Sequence, residues 1–495
     1  MANGVLPTEA ATGLFVDGTF RPSSGGETRA AVEPATGETL AQIPRGNRAD
    51  AQRAIEAAND ASGEWAARTA FERAAVCREI ADEIRDAADA LAELLTRDQG
   101  KPIGEAEVEI ELTAREFEHA AEGVRHDRTD VLPSEDPDKR VRTIRQPHGV
   151  LGAITPWNFP ANIPMEYVAP GLAVGNTVVW APAPTTSAIA IGLMSVISRA
   201  EGLPDGALNL VTGDGPVVGN ELVVNDGTDA VGFTGSPETG EAIASEAGTK
   251  PTLLELGGNG PVIVLADADI EAAVDCIAAG SFGNAGQICS ASERVLVHDA
   301  VYETVRDGVI ERAETVELGD PLDPETDMGP LNNDDVAAKM DRHVADAVER
   351  GATLHTGGER AREFPTDRYY EPTVLGEVTP EMIVDREESF GPIVPLYRVA
   401  DHEEALDIAN GIDLGLASSV FTSNITLANE MAERIETGVV NVNAASSHWE
   451  IHTPFGGFSG KHSGHGRVGG HAAIEELSQL KTISVDHGNV RSPRE

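Results

Sequence analysis

An α/β fold built on a parallel sheet follows from three features of this sequence. Between residues 150 and 265 short apolar runs alternate with helical ones. A second alternating region opens near Pro261 and continues to about Gly457. With 495 residues the chain is far longer than one hydrophobic core supports, which predicts two or three domains. Strands that alternate with helices run in the same direction, so their sheet is parallel and helices cover both faces.

The elements follow in chain order. Residues 49–95 predict two long helices: Ala51, Ala54, Ile55 and Ala58 begin one apolar face, and Val76, Ile80, Ile84 and Leu91 recur at helical spacing. Pro133–Lys139 is a polar, proline-containing loop. Arg140–Gln146 alternates, with Val141 and Ile144 among polar residues. Pro147-His148-Gly149 then interrupts it and Val150–Ile154 resumes as an apolar strand, a hairpin-like signal. The strand candidates beyond are Thr177–Trp180, Leu208–Val211, Ala230–Phe233 and Thr252–Leu256. Helix candidates at Ala161–Ala173, Ser187–Ala200, Pro216–Val224 and Pro237–Ala247 lie between them. Glu475–Val485 reads as a helix end followed by a strand at Thr482–Val485. The sequence shows no tandem repeat and no low-complexity linker.

Composition narrows the function classes. Asp and Glu number 82 against 37 Lys and Arg, a formal net charge of -45. Such a chain repels nucleic acid and anionic membranes, so neither is an expected partner. The acids are spread between apolar segments, which argues for a folded chain. The pattern resembles proteins of salt-accumulating organisms, where at molar salt the Debye length falls to about 3 Å and self-repulsion is screened. No run of about 18 uncharged apolar residues predicts a membrane span. Met1–Ala11 lacks a basic region followed by an apolar stretch, so the expected location is the cytoplasm. The three cysteines, Cys77, Cys276 and Cys289, form neither a disulfide framework nor a zinc-site spacing, and no metal is expected.

Five local patterns carry chemistry. In Phe282-Gly283-Asn284-Ala285-Gly286-Gln287-Ile288-Cys289, small residues crowd one cysteine in a run that otherwise reads as helical. A thiolate there is a strong nucleophile toward a carbonyl; the same pattern alone also fits a buried, inert cysteine. Cys77 and Cys276, on Ala-rich helical stretches, read as packing residues. In Leu254-Glu255-Leu256-Gly257-Gly258 a carboxylate stands between apolar residues at a strand end. Burial would raise its pKa into a general base's range; a salt-bridged carboxylate is the alternative. Pro156-Trp157-Asn158-Phe159-Pro160 follows a strand and fixes one amide between rings and prolines. That amide could donate to a developing oxyanion, or the segment could be only a rigid turn.

In Phe233-Thr234-Gly235-Ser236-Pro237-Glu238-Thr239-Gly240 a strand ends and a helix begins, and a helix N-terminus binds phosphate. The glycine spacing is not the usual dinucleotide fingerprint. Glu387-Glu388-Ser389-Phe390-Gly391-Pro392 offers a carboxylate for ribose hydroxyls and a ring for a nicotinamide, or a charged helix-to-loop junction.

Together, in this order, these patterns resemble the aldehyde dehydrogenase superfamily. Phe455-Gly456-Gly457, shortly before Ser463-Gly464-His465-Gly466-Arg467, is similar to that family's closing motif. The resemblance covers roughly residues 14 to 485. It implies that an aldehyde is oxidised to a carboxylic acid with NAD or NADP, through a thiohemiacetal and a thioester on Cys289. It implies that Glu255 activates the deacylating water, with the Asn158 amide and the Cys289 backbone N–H as the oxyanion hole. Thr155, Pro156, Trp157, Gly235, Ser236, Gly257, Glu388 and Phe390 would then hold the cofactor. Trp157, Tyr167, His448, His452 and Phe455 are the candidate substrate contacts. The ending His448-Trp449-Glu450-Ile451-His452 is similar to the benzaldehyde and vanillin dehydrogenase branch.

Several positions depart from the family. Ala181 stands where a lysine usually meets the adenosine ribose, and Pro184 where NAD-preferring members often carry a glutamate, so NAD and NADP stay open. Tyr167 and Val468 replace a lysine and a glutamate. Glu166 stands where semialdehyde dehydrogenases often carry an arginine, which weighs against, without removing, a succinate- or 2-oxoglutarate-semialdehyde substrate. A CoA-acylating relative would usually lack Glu255, and a non-catalytic protein would not need Cys289, Glu255 and Asn158 together. The implied architecture is a doubly wound parallel-sheet cofactor domain (1–127 and 147–257) and a second α/β catalytic domain (258–458). A small β extension with a bridging C-terminal segment (128–146 and 459–495) would assemble a homodimer or homotetramer.

Overall fold

The computed structural model describes residues 13–126 and 129–488. Met1–Ala11, expected to carry no export signal, lies outside the described residues.

Residues 48–125 form four helices where the sequence pattern predicts two over 49–95: Arg48–Ala67, Ala70–Asp86, Ala88–Gln99 and Ile103–Arg125. The apolar period runs unbroken across the joints, so periodicity alone hides them. Capping chemistry marks them. Asn47 with Asp50, and Thr69 with Glu72, close reciprocal capping boxes, and Gly100 ends the third helix with a left-handed φ of 104°. Cys77 is fully buried on the second of these helices, and burial pushes its thiol up to about 12, a packing role. Cys276, on the helix Ile270–Phe282, is half-buried.

The first sheet has eight strands. Its centre is parallel, in the spatial order Thr252–Leu256, Ala230–Gly235, Val150–Thr155, Thr177–Pro182 and Leu208–Leu210. These agree with the predicted strands to within two residues. The chain leaves Val150–Thr155 on one side toward Thr177 and later returns to its other side at Ala230, so the winding reverses beside this strand. A crevice opens at such a reversal, at the carboxyl ends of the strands. Inside the sheet Trp180 Nε1 donates to Thr155 Oγ1 at 2.9 Å, and the Trp65 indole N–H donates to Leu172 O at 3.0 Å. The short strand Gly464–His465 pairs antiparallel with Thr252–Leu256, which brings the C-terminal segment back onto this sheet.

The second sheet has seven strands with Pro261–Val264 inside it, flanked by Arg294–His298 and Ala417–Phe421. It is parallel except for its edge strand Thr353–Thr356.

The expected hairpin across Pro147–Gly149 is not formed. Lys139–Pro147 pairs antiparallel with Ser478–Asp486 and with Val131–Leu132 in a separate three-stranded sheet, while Val150–Thr155 enters the first sheet. The turn cannot close because Val150 N is taken by the Asp229 carboxylate at 2.8 Å and Gly149 N by the Asn176 side chain at 3.0 Å. Gly149, with φ 136°, redirects the chain from one sheet to the next, and an added Cβ would strike Asp229. Among the described residues no helix is long and apolar enough to cross a membrane.

Candidate active site

Strand ends set the site. Pro156, Trp157 and Asn158 leave the carboxyl end of Val150–Thr155, and Gly235 and Ser236 leave that of Ala230–Gly235. Glu255 stands one strand over, in register with Thr234. The second sheet's side supplies Cys289, Glu388 and Phe390.

Cys289 is not on a helix. Ile270–Phe282 ends at Gly283, and Asn284, Ala285 and Gly286 then take left-handed φ values of 48°, 52° and 72°. Such conformations are costly for residues with a Cβ and persist only when neighbours hold them. Here they are held. Asn284 N donates to the Glu105 carboxylate at 3.0 Å, and Gln99 Nε2 donates to Asn284 Oδ1 at 3.0 Å. Gln287 Nε2 donates to Asn284 O at 2.8 Å, and Gln287 Oε1 accepts from Asn332 N at 2.8 Å. Gly286 presses so close to Gly391 O that a Cβ would lie 2.0 Å from it. The small residues that read as helical in sequence serve this turn and the close approach.

Two cavities meet at the thiol. One, a cleft of about 610 Å³, is lined by Pro156, Trp157, Asn158, Gly235, Ser236, Gly257, Glu388 and Phe390, and it continues to Ala183–Thr185. The other, of about 430 Å³, opens on the opposite side and is lined by Phe159, Trp449 and Phe455 among others. Ile163, Glu255 and Cys289 border both. Of the remaining candidates, Thr155, Tyr167, His448 and His452 are not among the residues lining either cavity. Thr155 is tied to Trp180. Tyr167 is buried behind the sheet, its hydroxyl 2.7 Å from Thr234 Oγ1 and its ring filling the space a Cβ on Gly232 would take. His448 is exposed, and His452 faces His119 at 6.1 Å between ring centres. Trp157 lies in the larger cleft rather than in the smaller cavity.

The site is buried and acidic. Burial pushes Glu255 up to about 8, and hydrogen bonding with Cys289 and Thr234 pulls it back only partly. One of its oxygens, Oε1, is buried without a partner. Burial, then the neighbouring Glu255, Glu388 and Glu166, hold the Cys289 thiol well above its ordinary value. The two groups that would move protons are thus adjacent and both poised toward their neutral forms.

Asn158 is buried, with Nδ2 donating to Gln287 O at 3.1 Å. Its backbone oxygen accepts from Lys101 Nζ and Asn284 Nδ2, both at 3.0 Å. Lys101 is itself buried and ion-paired with Glu109 at 2.6 Å, and Glu109 Oε1 accepts from Ala161 N and Asn162 N.

The larger cleft fits an elongated ligand carrying phosphate. Ser236 caps the helix Pro237–Glu246, its Oγ accepting from Thr239 N at 3.3 Å, so the N-terminus of this helix borders the cleft. Near Cys289, Glu388 Oε1 accepts from Gly258 N at 3.1 Å, and a Cβ on Gly257 would sit 2.6 Å from Glu388 Oε2, so a larger residue there would displace that carboxylate. Phe390, left-handed at φ 57°, packs edge-on against Trp157 with ring centres 5.4 Å apart. Glu293 holds that strained turn by accepting from Ser389 N and Phe390 N, each at 2.7 Å.

Sequence reasoning missed four residues here. Lys339, 5.7 Å from the Phe390 ring, and Arg29, beside Pro184, line the cleft. Lys101 and Glu109 hold the Asn158 loop. One signal was available: with six lysines in the whole chain, each survivor invites a structural or chemical reason.

A family model described as the aldehyde dehydrogenase family matches residues 20–483. A probable NADP(+) succinate-semialdehyde dehydrogenase of Sinorhizobium fredii is 38% identical over 469 residues, 94% of each chain. Among solved structures, succinate-semialdehyde dehydrogenase from Burkholderia pseudomallei superposes with a TM-score of 0.94 at 37% identity, covering 98% of this chain and 99% of that one. Betaine aldehyde dehydrogenase from Staphylococcus aureus in complex with NAD+ does so with a TM-score of 0.93 at 33% identity, covering 97% and 95%.

Proposed function

The chain belongs to the aldehyde dehydrogenase family and is an NAD(P)-dependent aldehyde oxidoreductase, and on that premise we propose that Cys289, Glu255 and Asn158 carry the reaction. The observation that carries this reading is the position of Cys289 and Glu255 at the junction of the two cavities.

The Cys289 thiol passes its proton to the neighbouring Glu255 carboxylate, and Sγ adds to the aldehyde carbon, forming a C–S bond while the carbonyl oxygen takes the electron pair. Asn158, whose amide keeps a second N–H beside the one given to Gln287, donates to that oxygen together with the Cys289 backbone N–H. A nicotinamide dinucleotide, when bound in the larger cleft, supplies the two-electron oxidation that turns this adduct into a thioester. Glu388 would hold its ribose, Phe390 and Trp157 its ring, and Gly235 and Ser236 its phosphates, all of them lining that cleft. Glu255, having released the thiol's proton to solvent, then takes one from water, whose oxygen attacks the thioester carbon. The C–S bond breaks, the carboxylic acid leaves as product, and Glu255 returns its proton to the sulfur to regenerate the thiol.

Other elements of the reading rest on surface and composition. We propose domain limits at 1–127 with 147–257, and 258–458, with 128–146 and 459–495 as bridging segments. The sheet of Ser478–Asp486, Lys139–Pro147 and Val131–Leu132 leaves Val131 and Leu480 exposed, which supports a homodimer or homotetramer joined there. The net charge of -45 supports a salt-adapted protein. Cysteines without disulfides, one of them the proposed nucleophile, support the cytoplasm.

The test is a Cys289→Ala enzyme assayed with an aldehyde panel and NAD or NADP, with and without CoA. Turnover falls by at least about 10⁴-fold, the scale of losing a covalent nucleophile, while cofactor binding persists. Wild-type rates in this variant would refute the assignment. A requirement for CoA in the unaltered enzyme would refute hydrolysis.

A further inference from the structure

We propose that the aldehyde oxidised here is uncharged and apolar beyond its carbonyl, and that aldehydes with a distal carboxylate are disfavoured. This deepens the reading above and rests on Cys289 as the nucleophile. It concerns the smaller cavity, the side of the thiol turned away from the larger cleft.

The walls of that cavity are apolar, with Leu112, Phe159, Ile163, Ile288, Trp449 and Phe455 around a volume of about 430 Å³, room for a ring or a branched chain. Trp449 and Phe455 pack edge-to-face, ring centres 5.8 Å apart, and close one side. The ionisable side chains in the lining are all acids: Glu105, Glu109, Glu166 and Glu255. No lysine or arginine is among the lining residues. The nearby cation, Lys101, is fully buried and committed to Glu109 and the Asn158 carbonyl, with its face against the Phe159 ring at 3.9 Å.

Glu166 decides the sign. It projects from the helix Asn162–Val174, is 7% exposed, and one oxygen accepts from Asn162 Nδ2 at 3.2 Å. Glu116 and Glu255 lie close enough to disfavour its ionisation, after burial itself. A substrate carboxylate would have to shed its water facing acids and no cation, an uncompensated burial. A cationic substrate gains little either, because burial favours the neutral forms of Glu166 and Glu255 while Glu109 is already paired with Lys101. An apolar body fills the walls and needs no counter-charge. The relatives that act on semialdehydes, by their names, thus share the fold, while the lining of this cavity offers a distal anion no cation.

The unaltered full-length enzyme decides the matter in a rate panel with hexanal, benzaldehyde, succinate semialdehyde and betaine aldehyde, each with NAD and with NADP. The expected kcat/KM for hexanal or benzaldehyde exceeds that for either charged aldehyde by at least about 100-fold, the scale of an unpaired buried charge. A charged aldehyde that equals or exceeds both uncharged ones overturns this inference and leaves the function standing. A panel silent with all four overturns the function and this inference together.

Discussion

Lys101 Nζ donates to the main-chain oxygen of Asn158 at 3.0 Å, so the loop carrying the proposed oxyanion amide hangs from a fully buried ammonium. The same ammonium neutralises Glu109, whose other oxygen caps the backbone at Ala161 and Asn162. Position at the reacting carbonyl is thereby tied to a charge pair more than 45 residues upstream.

Lys101→Met is expected to destabilise the fold by about 3–5 kcal/mol, the cost of leaving a buried carboxylate unpaired. Adding Glu109→Gln should restore much of this, since the amide oxygen still accepts from the backbone. Denaturant unfolding of the two variants measures the difference. Equal stability of single and double variants would show that the pair is not coupled.

Glu255→Gln should separate the two halves of turnover. An initial burst of reduced cofactor near one equivalent per active site is expected, followed by a steady state slowed about 10²–10⁴-fold. In the unaltered enzyme Glu255 must lose its proton to act as a base. Burial raises it to about 8, so the deacylation rate climbs with pH up to that value and levels above it. Rapid-mixing absorbance across pH reads both; an unchanged steady rate in the variant would dismiss the role.

Arg29 lines the cleft beside Pro184 and shares the Asp214 carboxylate with Arg45. It is the one guanidinium among the described residues lining the cleft, and a 2′-phosphate reaching it would gain a charge-assisted contact. Arg29→Ala should raise KM for NADP about 10-fold, in keeping with one charge-assisted contact, and leave KM for NAD nearly unchanged. Equal effects on both cofactors would remove Arg29 from discrimination.

Salt should stabilise this protein. At 0.1 M the Debye length is about 10 Å and acids at ordinary surface spacing repel; at 1 M it is about 3 Å. Raising KCl from 0.1 to 2 M should increase the melting temperature by about 10 °C or more. A flat response in differential scanning fluorimetry would contradict a salt-adapted surface.

Leu480→Asp combined with Val131→Asp should dissociate the proposed dimer or tetramer, because both side chains, 60% and 80% exposed, lie on the three-stranded sheet. Light scattering on a sizing column reports the mass. An unchanged oligomer would move the interface elsewhere.

Much of this fold was legible because the deciding signals were local. Thr177–Trp180 and Ala230–Phe233 are short apolar runs between helices, and they appear as strands lengthened by two residues at one end. Where partners far along the chain decide, local pattern misled. Lys139–Pro147 takes Ser478–Asp486 as its neighbour, more than 330 residues away, and no turn residue could announce that. The Cys289 turn read as helix because small residues fit a helix as well as a left-handed turn, and only Glu105, Gln99 and Asn332 choose between them. Motif residues near the thiol were found by their chemistry. Lys101 and Glu109 were not, because a lysine eight residues before a glutamate looks like any surface pair until both are buried.

The thiol's two-sided exposure also governs traffic. With the larger cleft proposed for the dinucleotide and the smaller cavity for the aldehyde, neither would have to pass the other on its way in or out. The finished acid can depart by its own door while the reduced nucleotide is still in residence. A plug shaped for the aromatic chamber will therefore stop oxidation without evicting the nucleotide, and more nucleotide will not wash it out.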